Sequence, residues 1–192
     1  MDGTPGSPPR AVGIEQEVSD LYEAESGGVL RYAGSLANNR ETAHDAVQEA
    51  FFRFFLCRSA GQEIRSPKGW LFRVARNYVL DQKKAGARNE IGVDSLLNLP
   101  SRPYRPEPMD QVTELLRDLA QMGLSPREIE AIRLRTEGLR YEEIASVLGL
   151  QAGTVGALLA RAHGKIRKAI GDGASKDRIL VEELAGAKRY AS

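Results

Sequence analysis

SPREIEAIRLRTEGLRYEEIASVLGLQAGTVGALLARAHGKIRKAI, residues 125–170, holds three helical segments and both of the tight connections between them. Ser125 is an N-cap residue type, Pro126 follows at the first helical position, and Glu128 stands three residues after the cap, the spacing of a capping box. Gly138 ends that segment. Tyr141 to Leu148 predict a short second helix with Ile144, Ala145 and Leu148 on one face, and Gly149 supplies the turn into a third helix. With Thr154 read as its N-cap, the third helix repeats Val155, Leu159, Ala162, Ile166 and Ile170 at steps of three and four, which is one buried stripe. Its other face carries Arg161, His163, Lys165, Arg167 and Lys168 without an acidic residue. A solvated amphipathic helix has such a face, and so does a helix laid against DNA phosphates. The order of short helix, glycine turn and long basic helix favours the second.

The chain has 192 residues, 42% hydrophobic and 28% charged, enough for one or two small domains. No apolar run reaches the ~20 residues that a bilayer demands, and the opening MDGTPGSPPR lacks a secretory pattern, so a cytoplasmic protein without membrane insertion is expected. A single cysteine, Cys57, makes no internal disulfide. With only His44 and His163 beside it, no metal site, no cofactor and no nucleophile–base pair are expected, and hence no enzyme.

A net charge of +1 conceals segregation. Residues 10–63 hold nine acidic against five basic side chains, whereas residues 64–88 hold seven basic against Asp81 alone. Adjacent stretches of opposite sign suggest two partners, nucleic acid being the natural one for the basic stretch.

Two periodic helices occupy this half. In Arg40 to Arg58, Ala43, Val47, Ala50, Phe51, Phe54 and Phe55 line one face, with Asp45, Gln48, Glu49 and Phe52 on or near the other. Periodicity alone leaves Phe52 open between a docking ridge and a broad apolar face. Ser66 and Pro67 open the next helix, which runs to about Lys84 with Trp70, Leu71, Val74 and Tyr78 as its stripe and Arg73, Arg76, Asn77, Lys83 and Lys84 on the remaining surface. Cations beside aromatic rings suit unpaired DNA, although Trp70 reads first as a core anchor.

DAVQEAFFRFF at 45–55 and SPKGWLFRVARNYVLDQKK at 66–84 resemble region two of the extracytoplasmic-function (ECF) group of bacterial sigma-70 factors, and residues 125–170 resemble region four. The resemblance implies an all-α protein of two small helical domains joined by a Pro-rich linker. It implies that Asp45, Gln48, Glu49 and Phe52 bind core RNA polymerase, and that Arg73, Arg76, Asn77, Lys83 and Lys84 bind the minus-ten element as bases flip out. Tyr141, Gln151, Thr154, Arg161, Lys165 and Lys168 would bind the minus-thirty-five duplex. The implied partners are core polymerase, through its clamp helices and flap, promoter DNA and an anti-sigma factor. Two departures stand out: Gly156, Ala157 and Leu158 occupy positions that commonly hold Arg, Ser and Arg in that group, and His44 replaces a frequent acid. An apolar reading tip keeps open a sigma-like protein that titrates an anti-sigma factor. The likeness of 124–145 to response-regulator reading domains keeps open a stand-alone regulator.

The expected organisation is a disordered tail at 1–13, a region-two-like domain at 14–88, a linker at 89–109 containing Pro100, Pro103, Pro106 and Pro108, a region-four-like domain at 110–171 opening with a helix from Gln111 to Met122, and an extension at 172–192.

Overall fold

The computed structural model describes residues 9–37, 39–89 and 120–171, in two compact units, and every regular element among them is an α-helix. The expected tail over 1–8, the linker from 90, the helix from Gln111 as far as residue 119 and the extension at 172–192 lie outside the described residues.

Three helices build the first unit: α1 (Pro9–Leu36), α2 (Arg40–Ser59) and α3 (Pro67–Asn89). The long α1 departs from the sequence expectation, which places residues 9–13 in a tail and no helix over 14–36. Gly27 and Gly28 in mid-helix explain this: each costs about 1 kcal/mol relative to alanine and interrupts the apolar repeat. Packing overrides propensity here, for Gly28 is buried and the following Val29, Tyr32 and Ala33 enter the core. Asn39 caps α2 by accepting the Thr42 N–H at 2.7 Å. Ala43, Val47, Ala50, Phe51 and Phe54 are buried as expected, together with Ala46, whereas Phe55 is half-buried. A turn at Gly61 (φ 77°) leads to α3, where Ser66 Oγ accepts the Gly69 N–H at 3.3 Å. The α3 core is Leu71, Phe72, Val74, Ala75 and Val79; Trp70 and Tyr78, expected on that stripe, stand half-buried at its margins. The helix also continues past Lys84 to Asn89.

Aromatic contacts fix the three helices together. Tyr32 lies 5.4 Å from Phe72, Phe54 meets Trp70 edge-on at 5.8 Å, and Tyr22 meets Phe51 edge-on at 4.9 Å. Two ion pairs fasten α1 to its neighbours, Glu17 to Arg58 at 3.0 Å and Glu25 to Lys68 at 2.9 Å.

The second unit contains α4 (Pro126–Thr136), α5 (Tyr141–Leu148) and α6 (Ala152–Gly171). The capping box is formed: Ser125 Oγ accepts the Glu128 N–H at 3.3 Å and the Glu128 carboxylate accepts the Ser125 N–H at 2.7 Å. At the other end Gly138 adopts φ 84°, donating to Arg135 O while Leu139 donates to Leu134 O. This is the Schellman arrangement, completed by the fully buried pair Leu134 and Leu139. Gly149 (φ 67°) closes α5, and the axes of α5 and α6 turn by 100° across the break. Ile144, Ala145 and Val147 of α5 are buried and Leu148 is half-buried. Val155, Leu159, Ala162 and Ile166 of α6 are buried as the stripe requires; Ile170 is not among the described side chains.

Two expectations for α6 need correction. The helix begins at Ala152, and Thr154 is inside its first turn rather than its cap, because the Gln151 carbonyl already accepts from Thr154 and Val155 N–H at 3.0 and 3.1 Å. Leu158 is not part of an exposed tip: it is 7% exposed and belongs to the core, one position beside the expected stripe.

Candidate functional site

On α2 the periodicity of 3.6 brings Asp45, Gln48, Glu49 and Phe52 to one side of the helix. Asp45 and Gln48 are exposed, Glu49 is partly covered, and Phe52 is 59% exposed, which removes it from the core face and makes it a ring turned to solvent. Leu56, four residues on and 48% exposed, extends the same line. Sequence reading missed it because it sits within the run from Phe51 to Cys57, where every residue is apolar except Arg53. Glu49 accepts from Arg53 Nε at 2.6 Å along the helix, and Arg40 Nε donates to His44 Nε2 at 3.1 Å. The result is an acidic line with two large apolar side chains at its C-terminal end.

On α3, Arg73, Arg76, Asn77, Lys83 and Lys84 also share a side, as their spacing of three, four, ten and eleven from Arg73 requires. Asn77, Lys83 and Lys84 are exposed, and Arg73 and Arg76 are half-buried. Lys84 Nζ is 3.4 Å from Asp81, a pair exposed enough to be weak. Trp70 is one turn before this surface, with its ring edge on Phe54.

In the second unit a two-helix element with a short glycine-containing turn and a 100° bend has the geometry of a helix-turn-helix. Thr154, Ala157, Arg161 and Lys168 share the outer face of α6, all exposed, and Gln151 is exposed just before it. Tyr141 opens α5 at 42% exposure; its ring lies 5.6 Å from the Arg135 guanidinium and packs over the first turn of α6, where a Cβ at Gly156 would meet it at 3.8 Å.

Lys165 is placed differently from the other five. Its Nζ donates to Glu128 Oε2 at 2.8 Å and to Gly123 O at 3.0 Å, so the ammonium turns back to the start of α4 instead of outward. Glu128 is 2% exposed. Its carboxyl is lowered from 4.5 to about 2, first by the Lys165 hydrogen bond and then by the Ser125 N–H, both of which outweigh the opposing effect of burial. Arg161 Nε stands 3.7 Å from the other carboxylate oxygen while its side chain stays 61% exposed. One capping carboxylate thus holds one, and leans on a second, of the cations assigned to DNA. The link spans 37 residues, and no local sequence signal carries it.

The sigma-70 region 2 family model matches residues 21–89, and the sigma-70 region 4 model matches residues 119–166. The chain is 31% identical over 154 residues to the ECF RNA polymerase sigma factor SigE of Mycolicibacterium smegmatis, covering 77% of this chain and 59% of SigE. It is 30% identical over 151 residues to the ECF RNA polymerase sigma factor SigL of Mycobacterium tuberculosis, covering 77% of this chain and 83% of SigL. The fold is similar to that of the sigma factor RpoE in its complex with the anti-sigma factor NepR from Bartonella quintana, with a TM-score of 0.55 at 22% identity over 80% of this chain and 96% of RpoE. It is also similar to CnrH in its complex with the cytosolic domain of CnrY, with a TM-score of 0.57 at 21% identity over 86% and 94%. The chain belongs to the sigma-70 family of RNA polymerase sigma factors, in its ECF group. Sigma factors are in general non-enzymatic factors of transcription initiation. No single described helix is long and apolar enough to cross a membrane.

Proposed function

We propose that this chain directs core RNA polymerase to promoters and helps open them, leaving catalysis to the polymerase. Asp45, Gln48, Glu49 and Phe52 bind the polymerase clamp helices, with Leu56 as an added apolar contact. The observation that carries this reading is the exposure of Phe52 (59%) and, one turn on, Leu56 (48%) beside the acidic line of α2, an apolar patch with a charged rim of the kind that a partner surface covers. Arg73, Arg76, Asn77, Lys83 and Lys84 hold the single strand of the minus-ten element, cations following phosphates while bases stack nearby. Tyr141, Gln151, Thr154, Arg161 and Lys168 meet the minus-thirty-five duplex, and the flap of the polymerase supports that unit. Lys165 serves this surface indirectly, by holding α6 against α4.

A first domain that holds α1 to α3 and so begins by Pro9 and reaches Asn89, a second domain at 110–171, and the residues between as the linker that lets the two units reach separate promoter elements belong to the same proposal, as does residence in the cytoplasm. An anti-sigma factor is the third proposed partner, in keeping with the NepR complex formed by the structurally similar RpoE.

Transcription by purified core polymerase from a promoter library tests the function. Transcripts that depend on the added chain support it, and a chain that neither joins core polymerase nor changes promoter choice refutes it.

A further inference from the structure

We infer that the second unit selects its duplex element through the 5-methyl groups of thymine, contacted by Thr154 and Ala157, rather than through hydrogen bonds to guanine. The inference rests on the DNA-binding role proposed above for the helix-turn-helix.

A helix-turn-helix presents the N-terminal part of its second helix to base edges in the major groove. Three observations define what that part of α6 offers. Gly153, Thr154 and Ala157 are exposed there, and the neighbouring Val155 and Leu158 are buried, so the outward side chains of the first two turns are short. Gly156 is covered by the Tyr141 ring and contributes no side chain. The cations of the helix are further along: Lys165 is turned away by its bond to Glu128 at 2.8 Å, and Arg161, 61% exposed, stands a turn beyond Ala157 with its Nε 3.7 Å from the same carboxylate.

A bidentate guanine contact needs a long cationic side chain at the groove floor, and this tip has none. It has instead two methyl groups: the Thr154 γ-methyl and the Ala157 β-carbon, three residues apart on one face. Such side chains are roughly 5–6 Å apart at Cβ, against a rise of about 3.4 Å per base along a strand, so they match thymines one or two steps apart. Methyl-to-methyl contact is the standard apolar recognition of thymine in the major groove. Short side chains also let the α6 backbone approach closely enough for these contacts to form.

The test uses the full-length chain assembled with core polymerase. Duplex selection from a pool randomised only in the upstream element gives the preferred sequence, and deoxyuridine is then substituted for each thymine there, which removes the methyl and leaves pairing intact. Burial of one methyl is worth about a four-fold change in affinity, so each contacted thymine should lose about that factor on substitution. Thr154→Ser should abolish the discrimination at one position, whereas Thr154→Val, which keeps a methyl, should retain it. Selection of a guanine-dominated element indifferent to deoxyuridine overturns the inference while leaving the DNA-binding role standing. Absence of any preference or binding in the upstream element overturns both.

Discussion

Lys165 Nζ and Glu128 Oε2 lie 2.8 Å apart, one on α6, the helix proposed to face DNA, and the other in the first turn of α4, which packs against it. The same carboxylate completes the α4 capping box through Ser125 N–H. One nearly dry acid therefore sets both the start of α4 and the seat of α6, and it does so best when ionised.

Replacing that acid should expose its contribution through pH. The Glu128 carboxyl titrates at about 2 in the folded chain against 4.5 when unperturbed, a difference on the order of 3 kcal/mol. Because the folded-state value is the lower one, the stabilisation is full above about pH 5 and drains away as pH falls from 4.5 towards 2. Thermal unfolding and amide exchange in α4 and α6 should show Glu128→Gln destabilised by about that amount at neutral pH, with the gap from wild type closing in acid. A gap independent of pH would show that the carboxylate charge is not what matters.

Reversing charge on α2 separates binding from folding. Asp45→Arg with Glu49→Arg should abolish co-purification with core polymerase, yet shift stability by no more than about 1 kcal/mol, because the pair lost, Glu49 to Arg53, is a surface pair along one helix. Phe52→Ala should weaken the same assembly without loss of stability, since its ring is not in the core. Unchanged co-purification would remove the α2 line from the polymerase interface.

Salt dependence distinguishes the lysines of α6. Lys168→Met should reduce the slope of log affinity against log salt by about 1, the signature of one phosphate contact. Lys165→Met should leave that slope alone and lower the melting temperature, because it strands a buried carboxylate, a loss of about 3 kcal/mol. Equal slope changes for the two variants would return Lys165 to the DNA surface.

Asn77 provides a test on α3. It is exposed between half-buried Arg73 and Arg76 on one side and Lys83 and Lys84 on the other, so Asn77→Ala should leave the fold and polymerase assembly intact and slow promoter opening. Permanganate reactivity of the minus-ten thymines reads the opening directly. Wild-type rates of opening with this variant would exclude the side chain from strand capture.

Sequence legibility followed the range of the interactions. Helices α2, α4 and α5 announce themselves through caps, glycine turns and a 3.6-residue repeat, all decided within a few residues. The capping box at Ser125 and Glu128 and the turns at Gly138 and Gly149 formed as read. Misreadings came where tertiary packing outweighs local preference. Gly27 and Gly28 hide α1, which is helical because its C-terminal half is clamped in the core by Val29, Tyr32 and Ala33. Leu158 and Phe72 turned out buried because their helices are packed on more than one side, which widens an apolar stripe beyond a single repeat. The turning of Lys165 onto Glu128 requires the fold itself, as does the exposure of Leu56.

Trp70 is the only tryptophan of the chain, and it is wedged between the two surfaces of the first unit: its edge is on Phe54 of α2, and its own helix carries Arg73, Arg76 and Asn77. Its emission is thus an intrinsic signal of that unit alone. Stacking of an unpaired base nearby should quench it, and docking on α2 should shift its wavelength. A single natural fluorophore therefore resolves in time which of the two surfaces of the first unit engages first.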